Sequence, residues 1–366
     1  MSKYVRDNQR RVTIKDIAAL AKVSIGTVDR VLHNRGEVNQ ETCDRVMSFV
    51  EELGYTPNLL AKSLASKKSF DIIALLPEAG SNNPYWEMPL TGIKRATEEL
   101  QDFNTRINVL HFSQGDESTF SRQLGNILAR HPDGIILAPS FHQAAIRFLP
   151  QCSELGIPVM LVDNNLDSDR CLAYFGQDAM QSGHVAARLM HYGLPAGSIV
   201  VIINLAQNKI ITRHMNLREK GFVDFFETEV PDLGIKTLSF ELDISRRDEP
   251  EKSLANILKL YPEVAGIFVT NSRVHKVAGY LSAYGKGKIL LAGYDMLEAN
   301  LDYVRQGIVD FLICQKPEEQ GYRSSMAMFN FLLSGKPVER VNFSPIDIVV
   351  KENAAYYYGT TNSNQA

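Results

Sequence analysis

Polar side chains recur at one kind of position in this 366-residue chain, directly after short apolar runs. Asn83-Pro84-Tyr85-Trp86 comes after the first run, Asp163-Asn164 follows PVMLV, Asn271 follows GIFVT, Asp295 follows LLAGY and Gln315 follows DFLIC, while Arg218 precedes Gly221-Phe222. Carboxylates, amides and a guanidinium in such places suit noncovalent recognition of a small hydroxyl-bearing molecule. Its hydroxyls both donate and accept, so buried groups of both kinds are satisfied when it arrives. Its C–H faces pack on aromatic rings, here Tyr85 or Trp86. A single strand-end Asp or Asn usually caps the next helix, but five such polar ends, with Arg218 as a sixth polar group, form a pattern.

Covalent chemistry is not signalled. GxGxxG after a strand, GxxxxGK[ST], HExxH and GxSxG are all missing, and Gly285-Lys286-Gly287-Lys288 precedes a strand rather than following one. Cys43, Cys152, Cys171 and Cys314 show neither CxxC nor zinc spacing, and the eight histidines are scattered. The expectation is therefore no catalytic residue, no metal and no cofactor.

A second functional group lies near the N-terminus, in TIKDIAALAKVSIGTVDRVL, residues 13–32. Thr13 with Asp16 three residues on is a capping-box variant that starts a helix with Ile17, Ala18, Leu20 and Ala21 as its apolar stripe. Ser24 caps a second helix after only Lys22 and Val23, a helix-turn-helix spacing in which Val28, Val31 and Leu32 turn back on the first helix. Ile25, Gly26, Asp29 and Arg30 then face outward. Asn39 caps a third helix with Val46, Phe49, Val50 and Leu53 at i, i+3, i+4, i+7, closing a three-helix unit.

From residue 70 onward, Val/Ile/Leu runs alternate with helical patterns. Strands are expected at FDIIALL, RINVLHF, GIILA, PVMLV, SIVVII, IKTLSF, AGIFVT, KILLAGY, VDFLI and DIVV. Helices are expected near 91–102, 118–130, 142–155, 180–192, 217–228, 251–260, 273–284, 296–305 and 317–334. This alternation means parallel sheets covered on both faces, and ten strands divide more readily into two Rossmann-like lobes than into one sheet. Ligands of such sheets sit beyond the carboxyl ends of the strands. The fold class is thus an all-α helix-turn-helix headpiece plus α/β, with two parallel-sheet lobes.

The run TIKDIA, VSIGTV, RVL, LGYTPN and AKSLA resembles the DNA-binding headpiece and hinge of the lactose-repressor and galactose-repressor (LacI/GalR) family over residues 12–65. Residues 70–350 resemble the type I periplasmic-binding-protein fold, the effector domain of the same family. The resemblance implies a headpiece at 10–57, a hinge at 58–68 and an effector-binding and dimerisation domain at 69–354, followed by a polar tail at 355–366. Within that domain the N-lobe would take 69–177 and 316–343, and the C-lobe 178–315 and 344–354. It also implies that NPYW is a sugar-stacking motif and that Asp163, Arg218, Asn271, Asp295 and Gln315 contact ligand, with Asn83, Tyr85, Trp86 and Asn164 beside them. Asn164 stands where sugar-binding relatives often carry Arg, and Ser245-Arg246-Arg247 where they often place an aromatic. An Arg246 that reached the cleft would favour an anionic sugar; otherwise it lies in a solvated loop.

At the DNA end, Thr13, Ser24 and Thr27 are placed to donate to phosphates. Ile25, Gly26 and Arg30 occupy the family's base-reading positions, with Arg30 suited to guanine. Asp29, where the family usually has Ser, either accepts from cytosine N4 or orients Arg30. The resemblance further implies that Asn58, Ala61 and Leu64 belong to a hinge that orders in the minor groove, Leu64 acting as the wedge. So small a headpiece needs two half-sites, hence a homodimer on a roughly palindromic double-stranded operator. Residues 1–68 hold 12 Lys and Arg against 8 Asp and Glu, while the remainder holds 27 against 34, a basic end on an acidic body. No run is long enough to span a bilayer and the polar start MSKYVRDNQRR has no apolar region, so a cytoplasmic protein is expected. Two other classes share parts of this pattern, an α/β enzyme and an exported solute-binding protein. The absent motifs oppose the first, and the fused headpiece and polar start oppose the second.

Overall fold

The structure, a computed structural model, describes residues 12–32, 36, 38–53, 68–80, 83–246, 249–285 and 287–357. The chain divides into two compact units, Met1–Lys68 and Ser69–Ala366. Asn58, Ala61 and Leu64 lie outside the described residues.

In the first unit, α1 spans Ile14–Ala21, α2 Ile25–Leu32 and α3 Gln40–Glu52. The Thr13 N–H donates to Asp16 Oδ2 at 2.8 Å and the Thr13 hydroxyl to the same oxygen at 2.6 Å. Lys22, at φ 52°, turns the chain within three residues. The Thr27 N–H then donates to Ser24 Oγ at 3.0 Å, which starts α2, and Asn39 Oδ1 starts α3 by accepting from the Thr42 N–H at 2.8 Å. Ile17, Ala18, Ala21, Val28 and Val46 are buried at the centre of the three helices. Leu20 is a correction: it is 49% exposed, and Ile14 packs on the core instead. Positions 14, 17, 18 and 21 follow the i, i+3, i+4, i+7 stripe, whereas position 20 points away from it. Arg45 Nε donates to the Ala21 carbonyl at 3.1 Å, so α3 satisfies a carbonyl at the end of α1 that the helix itself leaves open.

The second unit contains two six-stranded sheets. The first is ordered β11-β5-β4-β3-β1-β2, from β1 (Phe70–Pro77), β2 (Thr105–Phe112), β3 (Gly134–Leu137), β4 (Val159–Val162), β5 (Ala173–Gly176) and β11 (Val341–Phe343). All its pairs are parallel. The second is ordered β12-β10-β9-β8-β6-β7, from β6 (Ile199–Ala206), β7 (Lys236–Asp243), β8 (Val264–Val269), β9 (Leu290–Tyr294), β10 (Phe311–Cys314) and β12 (Asp347–Val349). Here only β12 runs antiparallel to its neighbour. Each sheet therefore repeats the 2-1-3-4-5 doubly wound order, whose ligand crevice opens at the carboxyl ends. In β6 the two-residue alternation is direct: Val201, Ile203 and Leu205 enter one apolar cluster, Val200 and Ile202 the cluster on the other face. The two strands that sequence reading missed, β5 and β11, are four and three residues long, and β11 is largely exposed.

Helices α4 (Glu87–Leu100), α5 (Glu117–Arg130), α6 (His142–Glu154) and α12 (Pro317–Ser334) cover the first sheet; α7 (Ala179–His191), α8 (Arg213–Thr228), α9 (Glu249–Leu260), α10 (Val274–Tyr284) and α11 (Glu298–Arg305) cover the second. One helix pair in each lobe crosses on paired glycines. A Cβ on Gly92 of α4 would lie 1.9 Å from the Glu318 carbonyl oxygen of α12, and one on Gly183 of α7 would lie 2.1 Å from that of Arg218 in α8. Three crossovers join the lobes, and one side chain ties them: Gln177 Nε2 on the first donates to the carbonyl of Cys314, at the end of β10 where the second begins, at 3.0 Å and to the Pro345 carbonyl on the third at 3.3 Å.

Candidate functional site

The carboxyl ends of both sheets meet across a cleft that encloses about 630 Å³, its open mouth included. Asn83, Tyr85, Trp86, Asp163, Arg218, Asn271, Asp295 and Gln315 all line it, joined by Gln114, Ser140, His214 and Arg273. Asp163 and Asp295 follow the fourth strand of their respective lobes, and both adopt a left-handed backbone, at φ 68° and 66°. Such conformations cost on the order of 1–3 kcal/mol and persist where the surroundings demand them. Here they turn two carboxylates from opposite lobes into one space.

Arg218 sits at the centre, 2% exposed. Its Nη1 donates to the Thr270 carbonyl at 2.9 Å, its Nη2 to Gln315 Oε1 at 3.2 Å, and its plane lies 3.6 Å over the Tyr294 ring. Gln315 Nε2 passes the chain on to Asp295 Oδ2 at 3.1 Å. Among the described residues, Arg218 Nε, Asp295 Oδ1 and Ser140 Oγ are buried without hydrogen-bond partners. An unsatisfied buried polar atom costs roughly 1–3 kcal/mol, so one donor, one carboxylate acceptor and one hydroxyl stand ready for a ligand that supplies both functions. On the opposite wall the Tyr85 hydroxyl donates to Asp163 Oδ1 at 2.6 Å, and Tyr85 packs edge-on against Trp86 with centroids 5.2 Å apart.

Asn164 is a second correction. Its side chain is not part of the cavity wall; Nδ2 donates to Asp163 Oδ2 at 2.8 Å and Oδ1 lies 2.6 Å from His214 Nδ1. It orients the carboxylate from behind and reaches across to α8. His214 Nδ1 is 3.8 Å from Asp163, but burial, then the charges of Arg218 and Arg273, hold the imidazole well below its usual range, so it is neutral and donates to Asn164. Arg246 does not reach the cleft: its side chain is 77% exposed and pairs with Glu249 at 3.3 Å. The second guanidinium comes from Arg273 instead. The same strand-end logic would have found Gln114 after β2, Ser140 after β3 and Arg273 two residues after Asn271; His214, on a helix, carries no such signal.

Burial, with the charge of Asp163 adding to it and Arg218 and Gln315 opposing, pushes the Asp295 carboxyl up to about 7 from 3.8. A pKa raised on folding contributes stability that is complete below the ordinary value and is lost as the pH rises through the folded one. Asp295 thus costs the unliganded protein stability between about pH 5 and about pH 8, while His214 and His275, both lowered by burial, act in the opposite sense over the same window; relative to the parent, Asp295→Asn is therefore expected to gain melting temperature as the pH rises from about 5 to about 8. A hydroxyl donated to Asp295 Oδ1 favours the charged carboxylate, so binding near neutral pH releases a proton. Calorimetry in buffers of different ionisation enthalpy measures it, and a buffer-independent enthalpy would argue against the assignment.

On the first unit, Ser24, Ile25, Gly26 and Arg30 are exposed, and Thr27 and Asp29 partly so. Thr13 is exposed too, but its hydroxyl and N–H are both engaged by Asp16. Ile25 is 46% exposed, which an apolar side chain on a short helix does not need for folding. Residues 13–58 match the profile of bacterial regulatory proteins of the lacI family, and residues 73–337 that of the periplasmic binding protein domain. The solved structure of a candidate LacI transcriptional regulator from Bacteroides fragilis is 31% identical, with a TM-score of 0.73, over 79% of this chain and all of that one. The chain belongs to the lacI family of bacterial regulatory proteins.

Other lacI-family relatives are named for sugar operons. The ribose operon repressor of Halalkalibacterium halodurans is 27% identical over 312 residues, 81% of this chain and 86% of that protein. The sucrose operon repressor of Escherichia coli is 36% identical over 125 residues, 34% of this chain and 36% of its own. A sugar-binding protein of a sugar ABC transporter from Bacillus halodurans, 22% identical with a TM-score of 0.67 over 79% of this chain and 99% of its own, shares the fold of the cleft unit. Among the described residues, no helix is long and apolar enough to cross a membrane and no cluster of His, Cys, Asp or Glu could hold a metal.

Proposed function

We propose that this protein is a ligand-responsive transcriptional repressor that binds a roughly palindromic operator as a homodimer, with a monosaccharide or a derivative as effector. The observation that carries the reading is the union, in one lacI-family chain, of an exposed Ser24–Arg30 face with a cleft whose buried donors and acceptors lack partners. Ser24 and Thr27 serve phosphates, Thr13 fixes the start of α1 through Asp16, Ile25, Gly26, Asp29 and Arg30 serve the base edges, and Asn58, Ala61 and Leu64 the hinge. Operator DNA places its action in the cytoplasm. Effector and operator affect each other reciprocally if each favours a different arrangement of the two lobes. Two bonds span the cleft, His214 to Asn164 and Asn208 Nδ2 to the Gly115 carbonyl at 3.1 Å, and a change in the lobe arrangement would have to break them.

The test is selection of duplexes from a random library by the full-length protein. A symmetric site should emerge, and Arg30→Ala should weaken binding to it about 10- to 100-fold, while affinity for random duplex changes little. Failure to enrich any sequence would remove the DNA half of the proposal.

A further inference from the structure

The charged groups of the cleft fall into two sets. Asp163 and Asp295 both answer to Arg218, whose charge opposes the rise that burial imposes on each carboxyl. Arg273 stands outside that set. Its Nη2 reaches only an amide oxygen, Asn83 Oδ1 at 3.4 Å, and no carboxylate of the described residues pairs with it. Burial alone pulls this guanidinium below its usual range, with no acidic neighbour raising it.

Nor does the fold need a cation there. Arg273 is the N-cap of α10, the helix end that disfavours positive charge, and its backbone N–H already donates to Asn271 Oδ1 at 3.2 Å. A partly buried guanidinium without a counter-charge costs free energy in the empty protein, and a bound anion removes that cost. The cavity thus offers two kinds of group. Asp295, Arg218 and Ser140 offer the partnerless atoms that hydroxyls would satisfy, and Arg273 offers a charge that hydroxyls would not.

Resting on the effector-site reading above, we propose that the effector is a monosaccharide bearing one carboxylate, seated on Arg273. One planar guanidinium matches one carboxylate as a two-pronged pair. A phosphate ester, near two negative charges, would face Asp163 and Asp295, and among the described residues lining the cleft Arg273 is the cation left to meet it.

Isothermal titration of the full-length protein should compare D-galacturonate, D-glucuronate and D-gluconate with D-galactose and D-glucose, and with glucose 6-phosphate. At least one sugar acid should bind on the order of 10- to 100-fold more tightly than its neutral counterpart. Arg273→Gln should erase that preference while the unliganded variant melts no lower than the parent. The proposal is overturned if a neutral sugar binds as well as its acid, if only the phosphate binds, or if Arg273→Gln weakens neutral and acidic sugars alike. If no sugar of any class binds, the effector-site reading itself falls and takes this inference with it.

Discussion

Arg218→Met is expected to abolish effector binding and to lower the unfolding free energy by about 3–5 kcal/mol, the usual cost of removing one member of a buried charge cluster. Three losses coincide. Asp163 and Asp295 lose the charge that opposes their desolvation, Gln315 loses the donor that fixes its amide, and the Tyr294 ring loses the cation 3.6 Å above it. The penalty should depend on pH, in a direction set by the carboxyls. Both are raised on folding, so at low pH they are protonated and need no cation, and the variant should approach the parent. As the pH climbs through about 7, Asp295 must ionise against a more hostile site or remain protonated at a growing cost. Denaturant titrations at about pH 5 and about pH 8 separate these regimes, and equal losses at both would refute the electrostatic account.

Gly183→Val should damage the protein as severely, by geometry rather than charge. A Cβ at Gly183 would sit 2.1 Å from the carbonyl oxygen of Arg218 and 2.9 Å from the Phe222 N, both backbone atoms that no rotamer change can move. Helices α7 and α8 must separate, and α8 carries Arg218 and His214 out of position with it. Overpacking of this kind costs typically about 1–3 kcal/mol and more where backbone opposes it. Gly221, whose Cβ would meet the Met180 carbonyl at 2.0 Å, should behave alike. Gly125 of α5 is the control: nothing lies within 4 Å of its Cβ, so Gly125→Ala should stabilise the helix by roughly 0.5–1 kcal/mol. Melting temperatures of the three variants check the ranking, and a tolerated Gly183→Val would show that the crossing does not hold the site.

Local rules made much of this protein legible in its sequence. The Thr13, Ser24 and Asn39 caps, the stripes of the three headpiece helices and ten of the twelve strands are set by residues a few positions apart, and such periodicity survives in a linear string. The strand-end rule likewise pointed to Asp163, Asn271, Asp295 and Gln315, because a parallel sheet delivers every carboxyl end to one side. Tertiary structure decided the rest, where the partner is distant in the chain. Asn164 turns behind the cavity because His214, fifty residues on, is there to meet it. Arg273 faces Asn83 across 190 residues, and Arg246 stays on the surface with Glu249. Gln177 gains its role from two carbonyls on crossovers 137 and 168 residues away. The sequence alone determined most of the elements and the strand-end groups Asp163, Asn271, Asp295 and Gln315 of the cleft. Only the folded chain decided which of those groups satisfy one another and which are left for a ligand, because pairing depends on distances between lobes that no local pattern encodes.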